Sequence, residues 1–152
     1  MADSVEIITE SAEETQAFGE RLGHALITRG RGTSVICCQG ALGSGKTTFV
    51  QGLARGLGIT DRLISPTFVI VRRYEIPTRS GYLYHIDAYR LTGEGHEDTI
   101  GFRDILREPD SVVVVEWPER VHDALPKDRT DMQFETRSDG RHVIHIKEET
   151  AL

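Results

Sequence analysis

Gly40-Ala41-Leu42-Gly43-Ser44-Gly45-Lys46-Thr47 fits the pattern G-x-x-x-x-G-K-[ST] with no residue out of place. The pattern belongs to a phosphate-binding loop between a strand and a helix. Its glycines let backbone N–H groups curl around a polyphosphate. Lys46 supplies a point charge for the β- and γ-phosphates, and the Thr47 hydroxyl ligates Mg²⁺. A glycine-rich surface turn would carry similar residues, so the flanks decide. Upstream, Ser34-Val35-Ile36-Cys37-Cys38-Gln39 is a short apolar run that reads as a buried strand. Downstream, Phe49, Val50, Leu53, Ala54 and Leu57 recur at helical spacing, and Gly58 stands where a C′ glycine ends a helix. Strand, glycine loop and helix in that order capture an anion at a helix N-terminus.

Before this unit, Val5–Thr9 reads as a short strand. Ser11 and Glu14 form a capping box for a helix whose apolar face is Phe18, Leu22, Ala25 and Leu26 and which ends near Gly30. After it, Ser65-Pro66-Thr67-Phe68 is an extended or turn segment stiffened by Pro66. Val69–Tyr74 and Tyr82–Asp87 read as an antiparallel hairpin around Pro77–Gly81. Arg90–Glu97 is polar and glycine-rich and reads as mobile. Ile100, Phe102, Ile105 and Leu106 mark a short helix that stops before Pro109. The uniformly apolar Val112–Val115 fits a strand covered on both faces. Phe134–Thr136 and Val143–Ile146 form a last hairpin. The expected fold is α/β: residues 1–152 as a single P-loop NTPase domain, with a mixed, mostly parallel sheet, flanking helices and antiparallel hairpins.

Composition narrows the function classes. A formal net charge of −6 argues against a free-standing nucleic-acid binder, which needs a basic footprint. It leaves open work on RNA within a larger assembly. No apolar stretch reaches membrane-spanning length, and the acidic Met1–Glu6 lacks a signal-peptide core. A cytoplasmic location is the expectation. Cys37 and Cys38 are adjacent, which gives neither CxxC metal spacing nor a disulfide framework, and they read as small buried residues.

A P-loop alone binds phosphate; hydrolysis or transfer also needs further metal ligands and a group that orients the nucleophile. In open α/β sheets these groups gather beyond the carboxyl ends of the parallel strands. Glu116 ends the Val112–Val115 run and resembles a Walker-B carboxylate; a strand-end acid facing solvent is the plainer alternative. Asp87 ends Tyr82–Ile86 as a second acid, either metal ligand, water-orienting group or ordinary turn residue. Thr67 lies where a switch loop would sense a γ-phosphate or Mg²⁺. Trp117, beside Glu116, either packs on a base and shapes a pocket or belongs to the core. His85 either contacts phosphate, serves a proton, or is structural. No N-K-x-D guanine-reading motif, ABC signature or arginine-rich lid is present.

Four motifs stand in one order: Gly40–Thr48, Ser65-Pro66-Thr67-Phe68, His85-Ile86-Asp87-Ala88-Tyr89-Arg90 and Glu116-Trp117-Pro118-Glu119. The set resembles the bacterial TsaE family, also called YjeE, from about Ser11 to the last hairpin. The resemblance implies a weak, Mg²⁺-dependent P-loop ATPase needed for threonylcarbamoyladenosine in tRNAs that read codons beginning with A. It implies TsaB and TsaD as protein partners, tRNA contact only through them, and no membrane. It places ATP phosphates on Gly43, Ser44, Gly45, Lys46, Thr47 and Thr48, and Mg²⁺ on Thr47, Glu116 and the second acid, Asp87. Lys46, Asp87 and Glu116 would carry catalysis. Thr67 would belong to a switch-like loop, Trp117 would lie beside the nucleotide, Thr15 near adenine, and Arg141 within reach of the nucleotide. Ala41 departs from the family, which often has Asp there; the backbone phosphate cradle does not depend on it. A small-molecule kinase and a non-catalytic nucleotide-sensing adaptor are the competing readings.

Overall fold

The apolar run ahead of the phosphate loop becomes the middle strand of a seven-stranded sheet. The computed structural model describes residues 4–30, 32–41, 43–63, 70–89, 91 and 101–148. Within them the elements are β1 (Ser4–Thr9), α1 (Ala12–Arg29), β2 (Ser34–Gly40), α2 (Lys46–Gly56), β3 (Val71–Glu75), β4 (Tyr82–Asp87), α3 (Phe102–Leu106), β5 (Val112–Glu116), a 3₁₀ helix (Pro118–Ala124), β6 (Thr130–Thr136) and β7 (His142–Glu148). The strand order is β1-β7-β6-β2-β5-β4-β3. β2 runs parallel to both β5 and β6, and β4 parallel to β5. β3, β7 and β1 each join their neighbour antiparallel. The expected mixed sheet is therefore present, with three parallel pairings at its centre and three antiparallel ones outside them.

Alternation along the central strands divides the core in two. Ile36, Cys38, Leu83, Val112 and Val114 point to the face covered by α1 and α2, where Phe49 and Leu53 meet them. Val35, Cys37, Ile86, Val113 and Val115 point to the other face, beneath Phe102 and Val121. Val112–Val115 are inaccessible throughout, which is why that run carries no polar alternation.

The helix termini follow local chemistry. Ser11 Oγ accepts the Glu14 N–H at 3.2 Å, and the Glu14 carboxylate accepts the N–H of Glu10, one residue before the partner a capping box would use. α2 closes with Gly58 N–H donating to Arg55 O and Ile59 N–H to Ala54 O, with Gly58 at φ +85°. This is the doubly bonded glycine ending expected from the sequence.

One expectation about α1 is corrected. Ala25 is exposed and Phe18 and Leu22 are half-buried, while the innermost positions are Thr15, Gly19, Gly23 and Leu26. The reason is how closely α1 approaches α2. A Cβ on Gly19 would overlap Phe49 O, and one on Gly23 would lie 2.6 Å from Leu53 O. On α2, a Cβ on Gly52 or Gly56 would overlap the carbonyls of Gln16 or Glu20. The helices meet backbone to backbone along four glycines, so the apolar stripe is displaced to the flanks of the seam.

Other expectations fall short of the observed elements. The last hairpin is longer than its apolar centre, and β6 pairs with β2 in parallel. The 3₁₀ helix after Trp117 was not foreseen. Ser65–Phe68, with Thr67, lies outside the described residues, as does Arg90–Glu97 apart from the buried Leu91.

Candidate nucleotide-binding site

The parallel register brings the expected acids together at the carboxyl edge of the sheet. Asp87 is the partner of Glu116 across β4 and β5, and Glu116 the partner of Cys38 across β5 and β2. The Ala88 N–H continues this ladder to Glu116 O at 3.0 Å. β2 delivers the phosphate loop next to both acids. A Cβ on Gly40 would lie 2.6 Å from Phe134 O, so glycine is required where β2 turns beside β6.

α2 begins at Lys46, with Gly45 as N-cap at φ +104° and no side chain capping it. The N–H groups of the first turn therefore face outward without the hydroxyl cap that Ser11 gives α1. Together with the helix dipole, of about half a positive charge, they form an anion site. Lys46 Nζ donates to Gly40 O at 2.6 Å, lies 3.9 Å from Glu116 Oε1 and stands 4.8 Å from the Trp117 ring centroid.

These groups line a cavity of about 710 Å³. Its walls include Gly43, Gly45, Lys46, Thr47 and Thr48 from the loop and α2, and Asp87, Tyr89, Glu116 and Trp117 from the strand ends. Ala12 and Thr15 of α1, Ala41 and His142 complete the lining. Thr15 is held by its hydroxyl, 2.7 Å from that of Thr9. Asp87 Oδ1 accepts the Tyr89 N–H at 3.0 Å, which fixes that carboxylate in the turn after β4. Trp117 adopts φ +58°, ψ +50°, a left-handed conformation that is strained for a bulky residue, and its ring meets Tyr89 edge-on at 4.9 Å. The Cys38 thiol, beneath Glu116, is pushed well above its ordinary pKa by burial and then by the Glu116 charge. It is therefore a neutral thiol, not a thiolate, at neutral pH.

Most sequence-level site residues thus meet in one cavity, with two differences among those described. Ser44 is absent from the lining, its buried Oγ without a hydrogen-bond partner among the described residues. Arg141 is not part of the lining; its Nε holds Asp139 Oδ2 at 2.9 Å in the β6–β7 turn. The next residue, His142, lines the cavity instead, with Nδ1 3.2 Å from Thr136 Oγ1. Nothing local marks His142; only the pairing of β7 with β6 carries it to the loop. His85 also departs from a phosphate-contacting role: it is fully buried, with Nε2 2.5 Å from Glu116 Oε2.

The donor set fits a Mg²⁺–nucleotide. Among the described residues no group of three or more His, Cys, Asp or Glu is placed to hold a metal. Mg²⁺ asks for less, usually one or two carboxylates with substrate phosphates and water. A hydroxyl at Thr47, carboxylates at Glu116 and Asp87 and an uncapped helix terminus provide that set within a volume suited to a small-molecule ligand.

Residues 9–143 match the family model described as "Threonylcarbamoyl adenosine biosynthesis protein TsaE". The tRNA threonylcarbamoyladenosine biosynthesis protein TsaE of Treponema pallidum is 37% identical over 139 residues, covering 91% of this chain and 97% of that protein. The protein of the same name from Bacillus subtilis is 35% identical over 136 residues, covering 90% of this chain and 80% of that one. The crystal structure of Bacillus subtilis YdiB superimposes with a TM-score of 0.78 at 29% identity, covering 99% of this chain and 88% of that one.

Proposed function

This chain belongs to the TsaE family of tRNA threonylcarbamoyladenosine biosynthesis, and from that premise we propose that it is the Mg²⁺-dependent ATPase of that process. The observation that carries the proposal is the cavity in which an uncapped helix N-terminus and Lys46 face Glu116 and Asp87. The N–H groups of Gly43–Thr48 and the Lys46 ammonium hold the phosphates. Thr47 and Glu116 would hold the metal, and Asp87, the second acid, would be a further ligand or orient water. Mg²⁺, when bound, neutralises charge on the β- and γ-phosphate oxygens. Lys46 exchanges Gly40 O and Glu116 for phosphate oxygens, which releases the Glu116 carboxylate for its own task. Trp117 and Tyr89 close one side of the cavity and exclude water there. Thr15 and His142 line the cavity beside Gly45.

Hydrolysis serves a protein assembly in this reading. TsaB and TsaD are the partners, tRNA is met only through them, and the work takes place in the cytoplasm. No described helix is long and apolar enough to cross a membrane. The test is phosphate release from ATP by the purified chain with and without TsaB and TsaD, together with threonylcarbamoyladenosine in tRNA after depletion. Turnover that rises with the partners and modification that falls on depletion are expected. Unchanged modification would overturn the assignment, and phosphate transfer to a small acceptor would favour a kinase.

A further inference from the structure

His85 is the most deeply buried polar side chain at this edge, on a sheet face that is otherwise apolar around it. It is inaccessible to solvent, on the β4 face that also carries Leu83 towards Val112 and Val114. Its register partner is Val114. Among the described residues Nδ1 has no hydrogen-bond partner, where a leucine would carry no polar atom. Among the described residues, what the imidazole adds is the bond from Nε2–H to Glu116 Oε2 at 2.5 Å. His85 and Glu116 lie on adjacent parallel strands, offset by two residues, so their side chains project from the same face as diagonal neighbours.

The bond divides the carboxylate. Oε2 is held from inside the protein, while Oε1 faces Lys46 Nζ and the phosphate cradle. Without the imidazole, the Glu116 side chain has its own rotamers and Lys46 to set its direction. We propose that His85 is a positioning residue: it clamps Oε2 so that Oε1 is presented to the metal and phosphates. This rests on the reading of the cavity as a Mg²⁺–ATP site and goes beyond it, because His85 lines no part of the cavity. Partners that orient a metal-ligating carboxylate typically contribute about 10–100-fold to metal affinity or activity.

The parent chain is compared with His85→Leu, His85→Gln, Glu116→Ala and the double variant His85→Leu/Glu116→Ala. Mn²⁺ binding is followed by electron paramagnetic resonance in the presence of a non-hydrolysable ATP analogue. Analogue binding in EDTA, thermal midpoint and the kcat and KM of ATP hydrolysis are measured alongside. His85→Leu should bind the analogue in EDTA within about twofold of the parent, yet weaken Mn²⁺ about tenfold or more and lower kcat with little change in KM. His85→Gln, whose amide N–H reaches a similar point, should restore most of both. In the Glu116→Ala background, His85→Leu should have no further effect on Mn²⁺. Parent-like Mn²⁺ affinity and kcat in His85→Leu would overturn the proposal. So would an equal loss from His85→Leu with and without Glu116, which marks a structural effect, or no rescue by a folded His85→Gln. A Glu116→Ala chain that binds Mn²⁺ as the parent does would instead overturn the metal site itself.

Discussion

Lys46 is a buried cation whose contacts come from the groups it would leave on binding phosphate. Gly40 O, the Glu116 carboxylate and the Trp117 ring surround it. A phosphate must replace this hydrogen bond and ion pair, and each charge-assisted bond contributes roughly 1.5–3 kcal/mol. Lys46→Ala should therefore weaken ATP binding about 10–100-fold by calorimetry, with the fold intact by circular dichroism. Glu116→Ala should act differently, lowering turnover about a hundredfold or more while ATP affinity changes less than tenfold. Equal losses of binding and turnover in Glu116→Ala would contradict the role given to its carboxylate. At this scale the sequence was informative where chemistry is encoded by chain neighbours. Lys46 and Thr47 follow the glycines, and Glu116 and Trp117 follow the valine strand. His142 and the His85–Glu116 bond were hidden because both depend on strand pairing, which brings together residues 31 positions apart in the second case.

The helical elements carry a second lesson, that close packing can remove the apolar signal used to find a buried face. α1 and α2 cross along Gly19, Gly23, Gly52 and Gly56, and hydropathy is silent about glycine. The boundaries were readable, because Ser11, Glu14, Gly30 and Gly58 act through local hydrogen bonds and dihedral angles. The inward face of α1 was not, and Ala25 points to solvent. The seam makes a prediction whose sign opposes helix propensity. Alanine in place of glycine in an open helix favours folding by about 1 kcal/mol. At Gly52 the added methyl meets the Gln16 carbonyl, a backbone atom that moves only if the helices separate. Overpacking costs about 1–3 kcal/mol or more, so the clash should win. Gly52→Ala should lower the unfolding free energy by a net of up to about 2 kcal/mol, seen as a lower urea midpoint, and, because α1 carries Thr15 to the cavity, should weaken ATP binding as well. A midpoint unchanged or raised would show that the crossing is looser than described. Ser11→Ala gives the contrast: it should cost about 1 kcal/mol through lost capping, with little effect on ATP.

For the whole molecule, β2 couples ligand binding to global stability, because the strand at the centre of the sheet also ends in the phosphate loop. It carries Cys37 and Cys38, both almost inaccessible and one on each face. Cys37 borders a surface cavity shared with Pro118, His122 and Asp131, so Cys38 is the thiol that is reached only when the sheet and the helices over it open. A domain with an unfolding free energy of about 5–15 kcal/mol exposes such a thiol less than about one part in a thousand of the time. Alkylation of Cys38 at pH 8 should be slowed correspondingly relative to the denatured chain. ATP at a hundred times its dissociation constant adds about 2.7 kcal/mol, which should slow alkylation about a further hundredfold. The thermal midpoint should rise by about 5–10 °C. Alkaline pH acts in the opposite direction. Burial first, then the Asp131 charge, push the Cys37 thiol up from 9.0 to about 12, against a smaller opposing effect of Arg129. Between these values the folded chain keeps a proton that the unfolded chain releases, so stability falls as pH rises through that window. The thermal midpoint should decline above pH 9, and Cys37→Ala should make that decline shallower even though its smaller side chain lowers stability at pH 7. A Cys38 alkylation rate indifferent to ATP would mean that β2 opens locally, without releasing the phosphate loop, and would separate the strand's stability from that of its site.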